Sequence, residues 1–369
     1  KLLKEHILHF DVKKQDVFFY FTTTGWNMWY TLFSVLAAGA SAVLYDGSPF
    51  YPKKDRFFDM VQMLGITHFG ISPRYLQEIA SQKVRPIKSH DLASVRLVIS
   101  TGSPLSPQNF DYVYKNIKPK VRLSSISGGT EIMATLINGN PIGPVWRGEL
   151  QAPTLGMKVE IFNEDGKSIE NQKGELVCTK PFPSRPLYFW DDPKNKRYYK
   201  TYFDRFDNVW CHGDFAEITK NRGFIIFGRS DATLNPGGIR IGTADIYRAL
   251  DNLEVVKDSI ATSLQVESDE RVILFVKLSQ GKQLSDSVRR EIESVIRNSS
   301  SPRHVPAEIF QVRDIPYTIN GKKLELVVKD IIHGRPPRNS SSVSDQDVLD
   351  EFNRLYRENW SEASRANST

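Results

Sequence analysis

Residues 17–45 read VFFYFTTTGWNMWYTLFSVLAAGASAVLY and contain no charged side chain. A stretch this long and apolar is sufficient to cross a bilayer as a helix. Its interruptions argue for another reading: Thr22, Thr23, Thr24, Gly25, Asn27, Gly39 and Ser41 divide it. The β-rich VFFYFTTT reads as a strand, the small-residue stretch after it as a helix, and SAVLY as a second strand. A strand, helix and strand buried in a globular core is therefore preferred to a membrane span.

Outward from this stretch the alternation continues through RFFDMVQMLG, THFGIS, PRYLQEIA and VRLVIST, which predicts βαβ units on a parallel sheet. From 127 to 228 the character changes. Short runs KVEIF, GELVCT and FIIFG are separated by Gly, Pro, Asn and Asp, as in a small barrel or twisted sheet. A compact third segment follows, with TADIYRAL a helix capped by Thr243 and VILFVKLS a strand. SDSVRREIESVIRN is a helix with Val288, Ile292, Val295 and Ile296 on one face, AEIFQV a strand, and LELVVKDIIHG a helix ending at Gly334. From Arg335 the chain turns polar and Ser-rich, although Val348, Leu349, Phe352, Leu355 and Tyr356 share one face of a possible amphipathic helix.

A length of 369 residues predicts two or three domains, and 40% hydrophobic with 25% charged residues predicts a globular chain. The net charge of +6 favours anionic partners, but Lys and Arg are scattered without a block that could track a phosphate backbone. Small phosphorylated or carboxylate ligands fit better than nucleic acid. Cys178 and Cys211 stand far apart in the sequence and outside any Cys/His array, which argues against a disulfide scaffold or a zinc site and for the reducing cytosol. The chain opens on Lys1 without a signal peptide and reads as part of a longer protein.

Three motifs carry chemistry, each with a plain turn as its alternative. SISGGTEI (125–132) reads as a loop whose glycines let N–H groups face an oxyanion, with a Thr130 hydroxyl donor and a Glu131 carboxylate for Mg2+. WCHGDFAEI (210–218) offers Asp214, whose carboxylate can accept from two vicinal hydroxyls of a ribose. IPYTINGKKLEL (315–326) delivers Lys322 on a turn, where a cation can meet a phosphate.

The order SGGTE, GD, GRSDATLNPGGIRIG, NGK resembles the adenylate-forming superfamily of acyl-CoA synthetases, luciferases and peptide-synthetase adenylation domains, over nearly all of residues 1–334. TTTGWNMW, SGGTEI, GELQAPTLGM and DATLNPGGIRIGTADIY are most similar to its acetoacetate-activating branch, and RIGTADIY is shared with the acetate-activating one. The resemblance implies an α/β fold with an incomplete large domain at 1–230, its β-rich part at 127–228, a mobile small α+β domain at 231–334, and a tail at 335–369. It implies that Ser127, Gly128 and Gly129 line the nucleotide site, that Thr130 meets the α-phosphate, and that Glu131 holds Mg2+. Gly102, Ser103 and Pro104 would lie beside adenine, Asp214 and Arg229 would take the ribose, Arg240 the phosphates, and Lys322 the adenylation role. Asp231 would be the hinge, Gly237 and Gly238 would border the CoA arm, and Trp26 would line the acyl pocket. The implied activity is ligation of acetoacetate to CoA with ATP, Mg2+ and an acyl-AMP intermediate, in the cytosol, serving ketone-body use and lipid synthesis. Alternatives are a ligase for another short acid such as acetate, or a non-catalytic fragment. The superfamily's Ser/Thr/Gly-rich loop ending in Pro-Lys does not occur in these residues, which implies that they form the C-terminal part of a larger enzyme and are inactive alone.

Overall fold

The computed structural model describes residues 1–236, 240–266, 269–318, 321–337 and 343–361. Its contacts divide the chain into one unit at residues 1–226 and a second at 227–369, against the boundary at 230/231 expected from the motifs.

The first unit is built on a parallel sheet of five short strands: β1 (Val17–Tyr20), β2 (Ser41–Val43), β3 (His68–Ile71), β4 (Leu97–Ser100) and β5 (Arg122–Ser125), ordered β2-β1-β3-β4-β5. After helix α1 (Leu2–Leu8), residues 17–45 form β1, helix α2 (Met28–Ser34), a 3-10 turn and β2. Among the described residues no helix is long and apolar enough to cross a membrane.

Successive side chains of these strands go to opposite faces. Phe19, Phe69, Val98 and Leu123 join one core beneath helices α3 (Arg56–Leu64), α4 (Pro73–Ser81) and α5 (Pro107–Tyr112). Phe18, Tyr20, Leu97 and Ile99 join the other, with Met28 and Leu32 of α2. Burial on both faces explains why the strands read as continuous apolar runs rather than alternating ones. The helices start where their sequences specify: Ser72 Oγ accepts from Tyr75 N–H at 3.2 Å ahead of Pro73, and Ser106 Oγ from Asn109 N–H at 3.4 Å ahead of Pro107.

The turn-rich middle forms two antiparallel sheets. One contains β6 (Ser127–Gly129), β7 (Ala134–Asn138) and β8 (Ala152–Pro153); the other contains β9 (Val159–Phe162), β10 (Gly174–Cys178), β11 (Trp210–Ile218) and β12 (Phe224–Arg229). Helix α6 (Lys196–Tyr202) covers the second, with Tyr202 stacked on Trp210 at 3.8 Å between ring centroids. Cys178 and Cys211 are free and buried, and burial with the nearby Glu175 carboxylate pushes the Cys211 thiol up to about 11.

The second unit is a mixed sheet of β13 (Val256–Val266), β14 (Asp269–Leu278) and β15 (Glu308–Gln311), with β13 antiparallel and β15 parallel to β14. Helices α7 (Thr243–Leu250) and α8 (Asp286–Ser299) share one core with it; α9 (Glu325–Ile332) and α10 (Asp347–Asn359) share another. Gly242, not Thr243, is the cap of α7, and Thr243 is its first helical residue, its hydroxyl 3.5 Å from Glu325 Oε1. Helix α10 buries Val348, Leu349 and Phe352 in the core of its own unit.

Phe57 is fully buried against Phe19, Phe21, Tyr45 and Tyr75. The Phe57→Ala variant is expected to lose about 3–5 kcal/mol of stability in urea unfolding followed by tryptophan fluorescence.

Candidate active site

From β1 the chain crosses to β2 on one side and then to β3 on the other, so the β1/β3 border is the point where the crossovers part. Open parallel sheets bind ligands beyond the carboxyl ends of strands at such a point. The segments leaving that edge carry Trp26 after β1, Gly102, Ser103 and Pro104 after β4, and Ser127 to Glu131 after β5. Thr101 Oγ1 donates to the Ile126 carbonyl at 2.7 Å and ties the last two together.

Trp26 is 7% exposed, packs edge-on against Tyr20 at 5.8 Å between centroids, and lies 3.6 Å from where a Cβ on Gly102 would sit. It is therefore a wall of the core at this edge. Tyr20 can lie there because β3 offers Gly70, where a Cβ would come within 2.1 Å of its ring.

SGGTEI is not an open loop. Ser127–Gly129 pairs as β6 with β7, and Met133 N–H donates to the Thr130 carbonyl at 3.2 Å to close a hairpin turn, with no helix starting here. A Cβ on Gly128 would stand 2.1 Å from the Ala134 carbonyl oxygen, and one on Gly129 would stand 2.5 Å from Glu131 Oε2. Gly128 is thus required by the close approach of the hairpin backbone, whereas a Cβ on Gly129 would displace only the tip of the flexible Glu131 side chain. Thr130 is exposed at the turn and Glu131 is half-buried.

Beside Glu131 lies His212, which the sequence reading did not single out. Its Nδ1 is 3.7 Å from Glu131 Oε1 and its Nε2 is 3.9 Å from Asp214 Oδ2, while Trp210 Nε1–H donates to Nδ1 at 3.3 Å. The fold therefore sets Glu131 and Asp214 on either side of a buried imidazole, His212 being 3% exposed. The signal was present: two apart on a strand, His212 and Asp214 point to one face. Carboxylates held this way offer hard oxygen ligands for a cation and acceptors for hydroxyls.

A further cluster with metal-ligand spacing, Asp55, Asp59 and His90, already holds a cation of the protein, because Lys53 Nζ is 2.8 Å from Asp59 Oδ1.

The remaining candidates belong to the second unit. Arg229 Nε is 3.5 Å from Asp231 Oδ1, and Arg240 Nη2 donates to the Ser230 carbonyl at 3.2 Å. Leu234 and Ile241 exchange backbone hydrogen bonds of 3.0 and 2.8 Å. Gly237 and Gly238 lie outside the described residues. Lys322 is exposed on a turn in which Thr318 N–H donates to its carbonyl at 2.9 Å. Its neighbour Lys323 instead turns inward, with Nζ 2.9 Å from Asp258 Oδ1. Burial by itself would raise the Asp258 carboxyl, but the Lys323 charge and hydrogen bonds from Lys323, Tyr317 and the Ser259 N–H outweigh it and hold the group below its ordinary value.

A parallel sheet with candidate residues at its carboxyl edge, followed by β-rich sheets and a small mixed unit, defines an adenylate-forming type of architecture. The AMP-binding enzyme family matches residues 2–188, half of the chain, and the chain belongs to that family. It is 51% identical over 350 residues to an acetoacetyl-coenzyme A synthetase of Rhizobium meliloti, covering 95% of this chain and 54% of that protein. It is 44% identical over 355 residues to the acetoacetyl-CoA synthetase of Gallus gallus, covering 96% and 53%. The solved acetoacetyl-CoA synthetase of Streptomyces lividans superposes with a TM-score of 0.89 at 37% identity, over 97% of this chain and 55% of that one. An anthranilate CoA ligase in complex with anthranoyl-AMP shares the fold, with a TM-score of 0.73 at 20% identity over 87% of this chain and 60% of that one. The chain spans about half the length of the relatives it matches.

Gly128→Ala is expected to destabilise the first unit by about 1–3 kcal/mol, measured by chemical denaturation, because the hairpin must open to admit the methyl group. Asp258 should make the second unit acid-sensitive. A carboxyl depressed in the folded state contributes stability that is complete above its unfolded value, about 3.9, and lost as pH falls through the folded one. Melting temperatures across pH 2–6 should therefore fall more steeply on acidification in wild type than in Asp258→Asn.

Proposed function

We propose that the protein carrying this chain is an ATP-dependent acid–thiol ligase that joins acetoacetate to CoA. The observation that carries this reading is the likeness to acetoacetyl-CoA synthetases over 95% of the chain at 51% identity. The gathering of Trp26, Gly102, Ser127–Glu131 and Asp214 in one unit is in keeping with it.

A carboxylate oxygen is a poor leaving group, so the acid must be activated before a thiol can displace it. An acetoacetate oxygen attacks the α-phosphorus of ATP, the bond to pyrophosphate breaks, and acetoacetyl-AMP results. The CoA thiol, losing its proton, then attacks the acyl carbon and the bond to AMP breaks. Thr130, exposed at the hairpin turn, donates to the α-phosphate. Asp214 accepts from the ribose hydroxyls and Arg229 donates to them, with His212 lying between Asp214 and Glu131. Glu131 would hold Mg2+, which supplies charge neutralisation at the phosphates when bound; a half-buried carboxylate on a turn fits a hard cation. Lys322 approaches the reacting oxygens during adenylation, and Arg240 meets the phosphates. Gly102, Ser103 and Pro104 pack beside adenine, and Trp26 limits the acyl pocket. Asp231 is the pivot about which the second unit changes position between the two half-reactions. The two free, buried cysteines support a cytosolic setting, where the product feeds lipid synthesis from ketone-body carbon.

Pyrophosphate release by the full-length polypeptide should be fastest with acetoacetate among acetoacetate, acetate and short hydroxy acids; equal or greater rates with acetate would overturn the substrate assignment. Lys322→Ala should lower adenylation by about a hundredfold or more while thioester formation from supplied acetoacetyl-AMP continues.

A further inference from the structure

Lys322 and Lys323 leave one turn for opposite environments. Tyr317 and Lys323 face each other as an antiparallel bridge at the base of that turn. Both then converge on the same carboxylate of β13: Lys323 Nζ is 2.9 Å from Asp258 Oδ1, and Tyr317 O–H donates to Asp258 Oδ2 at 2.8 Å. The Lys323 ammonium also donates to the Ser259 carbonyl and sits 3.9 Å from the centroid of the Tyr247 ring. Tyr247 is itself fixed, accepting from Ala261 N–H at 3.0 Å and donating to Glu325 Oε1 at 3.2 Å. The two arms of the hairpin are therefore clamped to β13 and α7 by side chains that are largely withdrawn from water, Lys323 and Asp258 each having 17% of the side chain exposed.

We propose that Lys323 is a positioning residue whose clamp on Asp258, Tyr317 and Tyr247 fixes the hairpin that presents Lys322. The inference rests on the reading of Lys322 as the adenylation lysine. A long side chain on a turn meets a phosphate reproducibly only if the turn's base is rigid, and a shift of about 1 Å at a reacting group can cost about a hundredfold in rate.

The test uses the double variant Asp258→Asn/Lys323→Met, which removes both charges and leaves neither unpaired. In the full-length polypeptide it is expected to lower ATP–pyrophosphate exchange by about tenfold or more while thioester formation from supplied acyl-AMP changes less than about twofold. No loss, or equal loss in both half-reactions, overturns the proposal. A second arm is independent of ligase activity: the full-length polypeptide is labelled with limiting acetic anhydride and its peptides are quantified by mass spectrometry. Lys322 should be acetylated at least about tenfold faster than Lys323, a contrast that Asp258→Asn diminishes, since a paired and withdrawn amine reacts more slowly. Equal labelling in wild type overturns the clamp. A wild type with the labelling contrast but no pyrophosphate exchange overturns the ligase reading and leaves the clamp standing.

Discussion

Parallel pairing of β1 to β5 is the constraint on which the first unit depends. Parallel neighbours cannot be joined by tight hairpins; each connection must carry the chain back over a face of the sheet, which delivers every carboxyl end to the same edge. Helices cover both faces, and the two cores under them fix the strands in register. Residues as distant in sequence as Trp26, Gly102 and Glu131 are thereby brought to the same edge of one scaffold.

What stands at that edge is shaped by close approach. The Tyr20 ring rests where Gly70 has no side chain, and the Glu131 carboxylate folds over Gly129. At Gly70 the absent side-chain volume lets the ring come nearer the backbone than any other residue would permit, and at Gly129 it lets the carboxylate rest against the chain. The imidazole of His212 lies between the Glu131 and Asp214 carboxylates, 3.7 Å from one and 3.9 Å from the other.

The second unit solves a different problem with similar means. Its three-stranded sheet is closed by helices on both faces. Helix α10 contributes Val348, Leu349 and Phe352 to one of those cores. The turn bearing Lys322 springs from this covered sheet, anchored by the Lys323–Asp258 pair, so that an exposed cation is carried by a supported base rather than by a loose loop.

Much of this was legible in the residues. The alternation of apolar runs, the Ser-Pro helix starts before α4 and α5, and the amphipathic face of α10 are local signals, because a strand's pairing period, a cap and a helical stripe depend on neighbours within a few positions. The motif residues could be named as candidates, since hydroxyl, carboxylate and ammonium groups on Gly-rich turns are the groups that chemistry on anions and hydroxyls would use. Other features depended on contacts between distant segments. That SGGTEI closes as a β-hairpin depends on Ala134 and on the strand beyond it. The partnership of His212 with Glu131 joins residues far apart in the chain. That Lys323 faces inward while Lys322 faces water is decided by Asp258, Tyr317 and Tyr247. Sequence by itself determined which groups this protein possesses and which elements they ride on; tertiary structure decided which of them meet, because burial and charge pairing act through space between segments whose separation along the chain carries no record of the encounter.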